Sequence, residues 1–522
     1  MNNVTLHFID YLVMVGYLIA ILVIGVYVAR RTKDSDDLFL AGRSLGFFSI
    51  GLSLFASNIS STTLIGLSGA AYGSGIAVSN YEWMAGIVLV FMSFVYIPIY
   101  LKSKITTLPE FLKKRFGGSS NKYFSGITIF LSIVVDTAGG LYAGAIVLRT
   151  FFPALDLFYT CIALALVTGL YTAAGGLKAV VYTDVIQAIV LIVGCTIIFY
   201  VLFERYDFDW QAVKSSLPEG HFSLIKPLDD PQLPWLGTLT GVPILGFWYW
   251  ATNQYIAQRI LGAKSISHAR WGAILGGTLK LLPLFIMVIP GAMAIHIFPN
   301  LENPDMVFPS IVSHLLPVGL TGLVLSGLIA AVMSSIDSTL NSASTLVLYD
   351  FILSKRPGLD SVTVAKYGRV TTIILMILAA LWAPMIANFS GLFAYLQQAF
   401  SILVPPVAAI FFLGVFSHKG GSRTSLATLL VGHIVGVILF ILGQTGVMHL
   451  HFTIVAGLST LISVVLYFVF ARLFNEWDLA YSEMEFSKDL IKPIHDYPWY
   501  LDYRVQGGVV LALTAVMLVF FW

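Results

Sequence analysis

Five ionisable side chains lie within long apolar stretches of the sequence and are the first candidates for chemistry: Glu82, Asp136, Asp184, Lys280 and Asp337. A charged group inside a membrane costs several kcal/mol, so each one requires a partner or a function. Lys280 lies too deep in its stretch for its side chain to reach water easily, which favours a buried carboxylate or a ligand oxygen as its partner. Glu82 is interpreted as an acceptor for ligand hydroxyl groups, with an ion pair near the membrane surface as the alternative.

A dense series of hydroxyl side chains occurs between residues 334 and 345. Such hydroxyls often only bond to the carbonyl group four residues earlier, or pack neighbouring helices together. Their density and a nearby carboxylate favour a cation site, because sodium is a hard cation that prefers oxygen ligands. Ser334 and Ser335 are the predicted ligands of one sodium ion. Asp337 and Ser338, one turn further along, are candidates for a second.

The elements that position these residues must be membrane helices. Of the 522 residues, 58% are hydrophobic and only 11% are charged, which excludes a soluble globular protein. The net charge is +2 and the basic residues form short separate clusters, so a lipid bilayer is expected around the chain and nucleic acid is not expected as a partner. The sequence also lacks a His-Glu-x-x-His motif, a Gly-x-Ser-x-Gly elbow and a phosphate loop, and we do not expect an enzyme.

A membrane crossing needs about 20 apolar residues, and the chain offers about fourteen such stretches. We number them spans 1 to 14, at about 8–29, 47–75, 78–101, 123–148, 155–174, 180–203, 236–260, 270–297, 319–350, 364–386, 391–416, 422–444, 450–473 and 505–522. Most of the 29 Lys and Arg residues, including Arg259 at the end of span 7, are assigned to alternate loops on the inner side, which predicts a cell membrane protein with both termini outside. No loop is long enough for a further domain, so residues 1–522 form one predicted domain, with span 1 at 8–29, a core at about 47–416 and peripheral helices at about 422–522.

Spans 2 and 7 carry the signs of interrupted helices. Span 2 contains small hydroxyl and amide residues from Ala56 to Thr63, which can satisfy backbone groups freed by unwinding. Span 7 contains aromatic and amide residues from Gly246 to Gln254, after Pro243. The two spans are five apart. Broken helices at corresponding positions of two five-helix halves indicate a transporter with inverted repeats, whose ligands bind near the middle of the bilayer.

Several motifs occur in order along almost the whole chain. They are Asp37-Leu38-Phe39-Leu40-Ala41-Gly42-Arg43, Ser53-Leu54-Phe55-Ala56-Ser57-Asn58-Ile59, Tyr81-Glu82-Trp83, Tyr171-Thr172-Ala173-Ala174-Gly175-Gly176-Leu177-Lys178-Ala179, Thr183-Asp184-Val185-Ile186-Gln187, Trp248-Tyr249-Trp250, Asn253-Gln254, Gln258-Arg259, the serines of span 9 and Tyr395-Leu396-Gln397. By these motifs the chain resembles the sodium/solute symporter family, and within it the sodium/glucose cotransporter branch. The resemblance implies an all-α, LeuT-like membrane fold with two inverted five-helix repeats, spans 2–6 and 7–11, each beginning with a broken helix, and transport by alternating access.

The resemblance also implies roles for individual residues. The expected sugar-binding residues are Asn58, Thr63, Glu82, Tyr249, Trp250, Lys280 and Gln397, with Tyr249 capping the sugar on the cytoplasmic side and Trp250 packing beneath it. The expected sodium ligands are the carbonyl groups of Ala56, Ile59 and Ala331 with the hydroxyl groups of Ser334 and Ser335. A second sodium ion, present in some members, would use the positions of Asp184, Ser334, Asp337 and Ser338.

Two departures from the family bear on the substrate. Thr63 stands where sugar transporters often have glutamine or histidine, which leaves the identity of the sugar open. Asp136 lies in span 4, where the sialic-acid branch uses an arginine, so an anionic substrate is disfavoured, although Lys280 could still meet one. The expected function is sodium-coupled uptake of a neutral sugar or related polyol. The alternatives are proton coupling through Asp184 or Asp337, another solute such as sialic acid or inositol, and a sodium-linked sensor or channel.

Overall fold

The computed structural model describes residues 6–522 apart from 33, 302, 357, 389–391, 478, 481 and 493–496, and gives no side-chain description at 62, 150, 171, 174, 305, 387–388, 392–398 and 444. Its α-helices are α1 (Phe8–Ala29), α2 (Ser35–Leu40), α3 (Phe47–Asn58), α4 (Ser61–Ser74), α5 (Asn80–Phe94), α6 (Tyr96–Lys102), α7 (Leu108–Phe116), α8 (Gly118–Phe130), α9 (Ala138–Phe151), α10 (Leu157–Glu204), α11 (Trp210–Ser216), α12 (Trp235–Phe247), α13 (Gln254–Leu261), α14 (Ile266–Leu279), α15 (Ile289–Ile297), α16 (Val307–Leu315), α17 (Leu320–Leu346), α18 (Ser361–Trp382), α19 (Leu392–Phe416), α20 (Ser422–Gln444), α21 (Phe452–Leu473) and α22 (Tyr503–Phe520).

Shorter helical segments continue or link several of these helices. Leu131–Thr137, Trp248–Thr252, Leu284–Val288 and Val347–Ile352 are π-helical. The 3₁₀ turns are Ala41–Arg43, Ile76–Ser79, Pro304–Met306, Ala383–Asn388, Lys488–Ile491 and Trp499–Leu501. A π-helical turn adds a residue to the helix and often marks a functional site.

The membrane-spanning helices agree with the predicted number. Among the described residues, 11 helices are long and apolar enough to cross a bilayer, and 12 if the bent pair α3 and α4 counts as one span. The first part of α10, Leu157–Leu170, is a shorter apolar helix and corresponds to span 5. Span 7 is divided between α12 and α13. Together these segments account for the predicted set of about fourteen and establish a multi-pass membrane protein.

Spans 5 and 6 meet at Gly176, inside the helical assignment of α10. This glycine has φ 58° and ψ −155°, a conformation that residues with a side chain rarely adopt. A Cβ atom at this position would lie 2.2 Å from the Leu38 carbonyl oxygen. The glycine therefore permits both the turn between the two spans and the close approach of α2.

Both predicted interruptions are present. The chain leaves helical geometry at Ile59, and α3 meets the following helix at an angle of 59°. The Ser60 hydroxyl then caps α4 by accepting the Thr63 amide, 3.2 Å away. In span 7, Asn253 is extended at φ −82° and ψ 128°, and its side chain caps α13. These polar side chains replace helical hydrogen bonds that are lost at each break.

The long helix α17 lies at the centre of the molecule. It packs against α1, α3, α10, α13 and α18, and nearly all of its residues are buried. Much of α1, by contrast, exposes large apolar side chains of the kind that face lipid. The serines of α17 therefore contact protein rather than acyl chains, and they do so beside the break in span 2.

Candidate functional site

A cavity of about 220 Å³ lies beside the two helix breaks, and we call it the central cavity. Its polar lining consists of Ser57, Asn58, Ser60, Thr63, Tyr81, Glu82, Asp136, Tyr249, Tyr255, Ser335 and Thr339. Sites for drug-sized ligands usually measure about 300–1,000 Å³, so this cavity suits a small solute. Its many hydroxyl, amide and carboxylate groups suit a solute that forms hydrogen bonds.

Lys280 and Glu82 form a buried ion pair next to this cavity. Lys280 directly follows α14, and its ammonium group donates to the Glu82 carboxylate on α5 and to the Asn58 side-chain oxygen on α3. The side-chain exposures are 1% for Lys280 and 9% for Glu82. The carboxylate partner expected for Lys280 is thus Glu82. The pair brings together three of the proposed sugar-binding residues from three helices.

Aromatic side chains from span 7 form another part of the site. Tyr249 lines the central cavity, and its ring centroid lies 5.1 Å from that of Trp250 and 5.7 Å from that of Tyr255. Trp250 is buried behind this layer, with the Lys280 nitrogen 5.9 Å from its ring centroid. The π-helical turn Trp248–Thr252 and the break at Asn253 orient these rings.

The remaining two predicted sugar-binding residues have different outcomes. Thr63 lines the cavity, and its hydroxyl donates to the Asn58 carbonyl, 3.2 Å away. Gln397 lies outside the residues whose side chains are described, so its role stays a prediction.

The predicted sodium ligands converge where α17 meets the break in span 2. The Ser334 hydroxyl donates to the Ala56 carbonyl at 2.9 Å and lies 3.3 Å from the Ala331 carbonyl. The Ser335 hydroxyl donates to the same Ala331 carbonyl at 2.9 Å. Ile59 is the extended residue that ends α3. In the structure, serine hydroxyl hydrogens join the serine oxygens to the carbonyl oxygens. A cation bound by the same oxygens would replace these hydrogen bonds.

A cation of the protein itself, Arg259, lies among the residues considered for a second sodium ion. The Arg259 guanidinium lies 3.0 Å from the Asp184 carboxylate and also donates to the Ser338 hydroxyl. Ser338 in turn lies 3.2 Å from Asp337. The positive charge of Arg259 therefore already stands between Asp184 and Ser338.

Arg259 corrects one interpretation of the sequence. Because it follows an apolar run, it was assigned to a loop on the inner side of the membrane, but it lies within α13 and is 1% exposed. Its guanidinium also contacts Ser53 and Ser57 of α3, which the sequence analysis quoted in a family motif without giving them a role. The Gln258-Arg259 motif beside a broken helix was the signal for the arginine itself.

A second cavity, of about 410 Å³, lies beside the central cavity and shares Val78 and Tyr81 with it. We call it the loop-side cavity, because residues of the loop before α12, including Lys226 and Asp230, line it together with His451. Burial lowers the pKa of His451, although Asp230 opposes this effect. Asp184 and Arg259 themselves are not part of either lining, but Ser57 and Tyr255, which contact Arg259, line the central cavity.

Two broken helices around a small polar cavity, in an all-helical membrane fold, define a secondary transporter with inverted repeats. The model of the sodium:solute symporter family matches residues 38–432, and the chain belongs to this family. Membership establishes a transporter and implies sodium as the co-transported ion. The fold class, the broken spans and the family expected from the sequence are confirmed.

Similar proteins support this assignment. Over 471 residues the chain is 36% identical to the sodium/myo-inositol cotransporter 2 of Oryctolagus cuniculus, covering 83% of this chain and 70% of that protein. Over 476 residues it is 32% identical to the sodium/glucose cotransporter 4 of Danio rerio, covering 84% and 72%.

Solved structures share the fold. A substrate-bound, outward-open Na⁺-coupled sialic acid symporter superposes with a TM-score of 0.80 at 24% identity, covering 91% of this chain and all of that one. Mhp1, a nucleobase-cation-symport-1 family transporter, gives a TM-score of 0.57 at 16% identity, covering 86% and 96%.

Proposed function

We propose that this protein takes up a neutral sugar or a related polyol together with sodium, by alternating access across the cell membrane. The observation that carries the proposal is the position of the Asn58, Glu82 and Lys280 group in the central cavity, directly beside the serines of α17. A solute and a cation bound at these two places would be in neighbouring parts of one site. The names of the relatives, which transport glucose or myo-inositol with sodium, support the same class of solute.

The charge balance of the Lys280–Glu82 pair favours a neutral solute. Lys280 is neutralised by Glu82, so the pair offers hydrogen-bond donors and acceptors without a net charge. Sugar hydroxyl groups both donate and accept, and they match such a pair. Asn58, Thr63 and Tyr249 add further hydrogen-bonding groups around the same space.

Sodium would act on the contact between α3 and α17. Its ligands would come from Ala56 and Ile59 on one side and from Ala331, Ser334 and Ser335 on the other, so the bound ion would hold the break of span 2 against α17. An ion that stabilises the sugar-binding arrangement raises sugar affinity, and the sugar raises ion affinity by the same factor. Inward movement of one charge contributes about 2.3 kcal/mol per 100 mV, which can drive uptake.

The two cavities support an outward-facing arrangement. The loop-side cavity adjoins the central cavity through Val78 and Tyr81. Asp184 and Arg259, which join α3, α10, α13 and α17, lie outside both linings, behind Ser57 and Tyr255 of the central cavity. If the loop before α12 is extracellular, as the charge pattern predicts, the solute enters through the loop-side cavity. Separation of the Arg259 cluster would then open the route to the cytoplasm.

The test is uptake of labelled glucose and myo-inositol into proteoliposomes with an imposed sodium gradient or an imposed proton gradient. Sodium alone should drive uptake, and an equal response to protons alone would reject the proposed ion. Ser334→Ala and Ser335→Ala should each raise the half-saturating sodium concentration about tenfold or more, since each removes one ion ligand. Ser326→Ala is the matched control, because this buried serine of α17 only bonds to the Gly322 carbonyl of its own helix. Unchanged sodium activation in both test variants would remove the assigned ion site.

A further inference from the structure

Asp136 lies in the wall of the central cavity, in the π-helical segment Leu131–Thr137 between α8 and α9. The next residue fixes this segment on α17, because the hydroxyl oxygens of Thr137 and Thr339 lie 2.7 Å apart. Two turns further, Gly144 packs so closely on α17 that a Cβ atom there would lie 2.8 Å from Val332. The carboxylate is therefore held at a defined place in the cavity by its neighbours.

The charge of Asp136 is not balanced by the protein around the cavity. Its lining includes two carboxylates, Glu82 and Asp136, and no Lys or Arg among the described residues. Glu82 is paired with Lys280, which lies behind the lining. Within the part of the chain whose side chains are described, no group donates a hydrogen bond to the Asp136 carboxylate. The cavity thus contains one carboxyl group to which no described side chain donates.

A bound ligand can supply the missing donors. A carboxylate that is buried without hydrogen-bond donors is costly, and hydrogen bonds from a ligand recover much of that cost. Hydroxyl groups of a neutral sugar can donate to it, and an ammonium group adds opposite charge. A carboxylate on the ligand would instead face a like charge, and Lys280 is no longer available to attract it because Glu82 already binds it.

We propose that Asp136 binds the transported solute directly and sets its charge selectivity, so that the carrier accepts neutral polyols and amino sugars and excludes sugar acids. This inference rests on the proposed sugar transport. The selectivity arises from a repulsive group as much as from an attractive one, because the same carboxylate that accepts hydroxyl hydrogens rejects an anion.

The experiment measures competition by glucose, glucosamine and glucuronate against sodium-driven uptake of the labelled neutral substrate, at about pH 7.5, where a large part of the amine is still protonated. In the unchanged protein, glucosamine should compete at least as well as glucose, and glucuronate should be weaker by about tenfold or more. In Asp136→Asn, glucose should weaken about tenfold through loss of a charge-assisted hydrogen bond. The penalty for glucuronate relative to glucose should largely disappear.

Thr137→Val is the matched control. It perturbs the same π-helical segment by removing the bond to Thr339 but keeps the charge of Asp136, so the order of the three competitors should stay as in the unchanged protein. Equal competition by glucuronate and glucose in the unchanged protein would overturn the inference without any variant.

An unchanged order in Asp136→Asn would also overturn it. A raised half-saturating sodium concentration in that variant, with the order unchanged, would place Asp136 in the ion site instead. Absence of sodium-driven uptake of any neutral sugar or polyol would refute the proposed function itself, which separates the two failures.

Discussion

Replacing Arg259 with methionine should destabilise the protein more than any change to its partner Asp184. Arg259 and Asp184 are 1% and 0% exposed, and their charged atoms lie 3.0 Å apart. Without Arg259, Ser53 and Ser57 would be the donors left to the Asp184 carboxylate among the described residues. Without the Asp184 charge, the guanidinium would keep several acceptors, including the Tyr255 carbonyl.

The size of the effect follows from this geometry. At 3.0 Å and an effective dielectric constant of about 20, the attraction between the charges is about 5.5 kcal/mol. Much of this offsets the cost of burying both ions, but removing only one partner leaves the other charge buried and costs about 3–5 kcal/mol. Asp184→Asn keeps hydrogen-bonding atoms in place and should cost about 1–3 kcal/mol. The double variant removes both charges and should recover part of the loss in Arg259→Met.

The assay is thermal unfolding of the purified proteins in detergent, with the four combinations compared as a double-mutant cycle. Arg259→Met should have the lowest melting temperature, with the double variant above it and Asp184→Asn above both. Arg504→Met is the control, because Arg504 pairs with Asp502 while 46% exposed, and such surface pairs contribute little. A loss in the double variant equal to the sum of the two single losses would show that the charges are not coupled and would refute the reasoning.

Two further expectations concern Lys280 and Glu476. Lys280→Ala should weaken sugar binding about tenfold or more, because it removes a hydrogen-bond donor beside Glu82. The half-saturating sodium concentration should stay unchanged, because Lys280 is not an ion ligand. A shift in that concentration without weaker sugar binding would contradict the expectation. Glu476 caps α20, and although partial burial opposes its ionisation, hydrogen bonds from Thr424 and from backbone amides hold its pKa below the ordinary value of 4.5. This stability is present above pH 4.5 and is lost as the pH falls through the lower folded pKa. Melting temperature should therefore fall less with acid in Glu476→Gln.

The fold was largely predictable because lipid imposes strong limits on the sequence. Hydropathy placed the first span at 8–29, and the helix is Phe8–Ala29. The polar residues near Ser60 and Asn253 indicated both breaks, because an interrupted membrane helix needs side chains that satisfy its backbone. The π-helical turns were not predicted, since a single inserted residue leaves the apolar pattern of a buried helix almost unchanged.

The site was only partly predictable, because its contacts join distant parts of the chain. The sequence indicated that Lys280 needs a carboxylate, but 198 residues separate it from Glu82, and several carboxylates were possible. Arg259 looked like a loop residue because it ends an apolar run. Its partner Asp184 lies 75 residues earlier in the chain. Only the tertiary structure shows that Arg259 is buried in an ion pair, where the sequence predicted a side chain exposed to water.

The charges of the site bear on which form of the carrier reorients across the membrane. The pairs Glu82–Lys280 and Asp184–Arg259 are each neutral, whereas Asp136 adds a negative charge to the central cavity. Exposing this cavity to each side of the membrane in turn carries that charge through a region of low polarity, which is costly. One sodium ion with a neutral solute balances it, while a sugar acid would leave it negative. The carboxylate that selects the solute would thus also make the loaded carrier the form that reorients most easily.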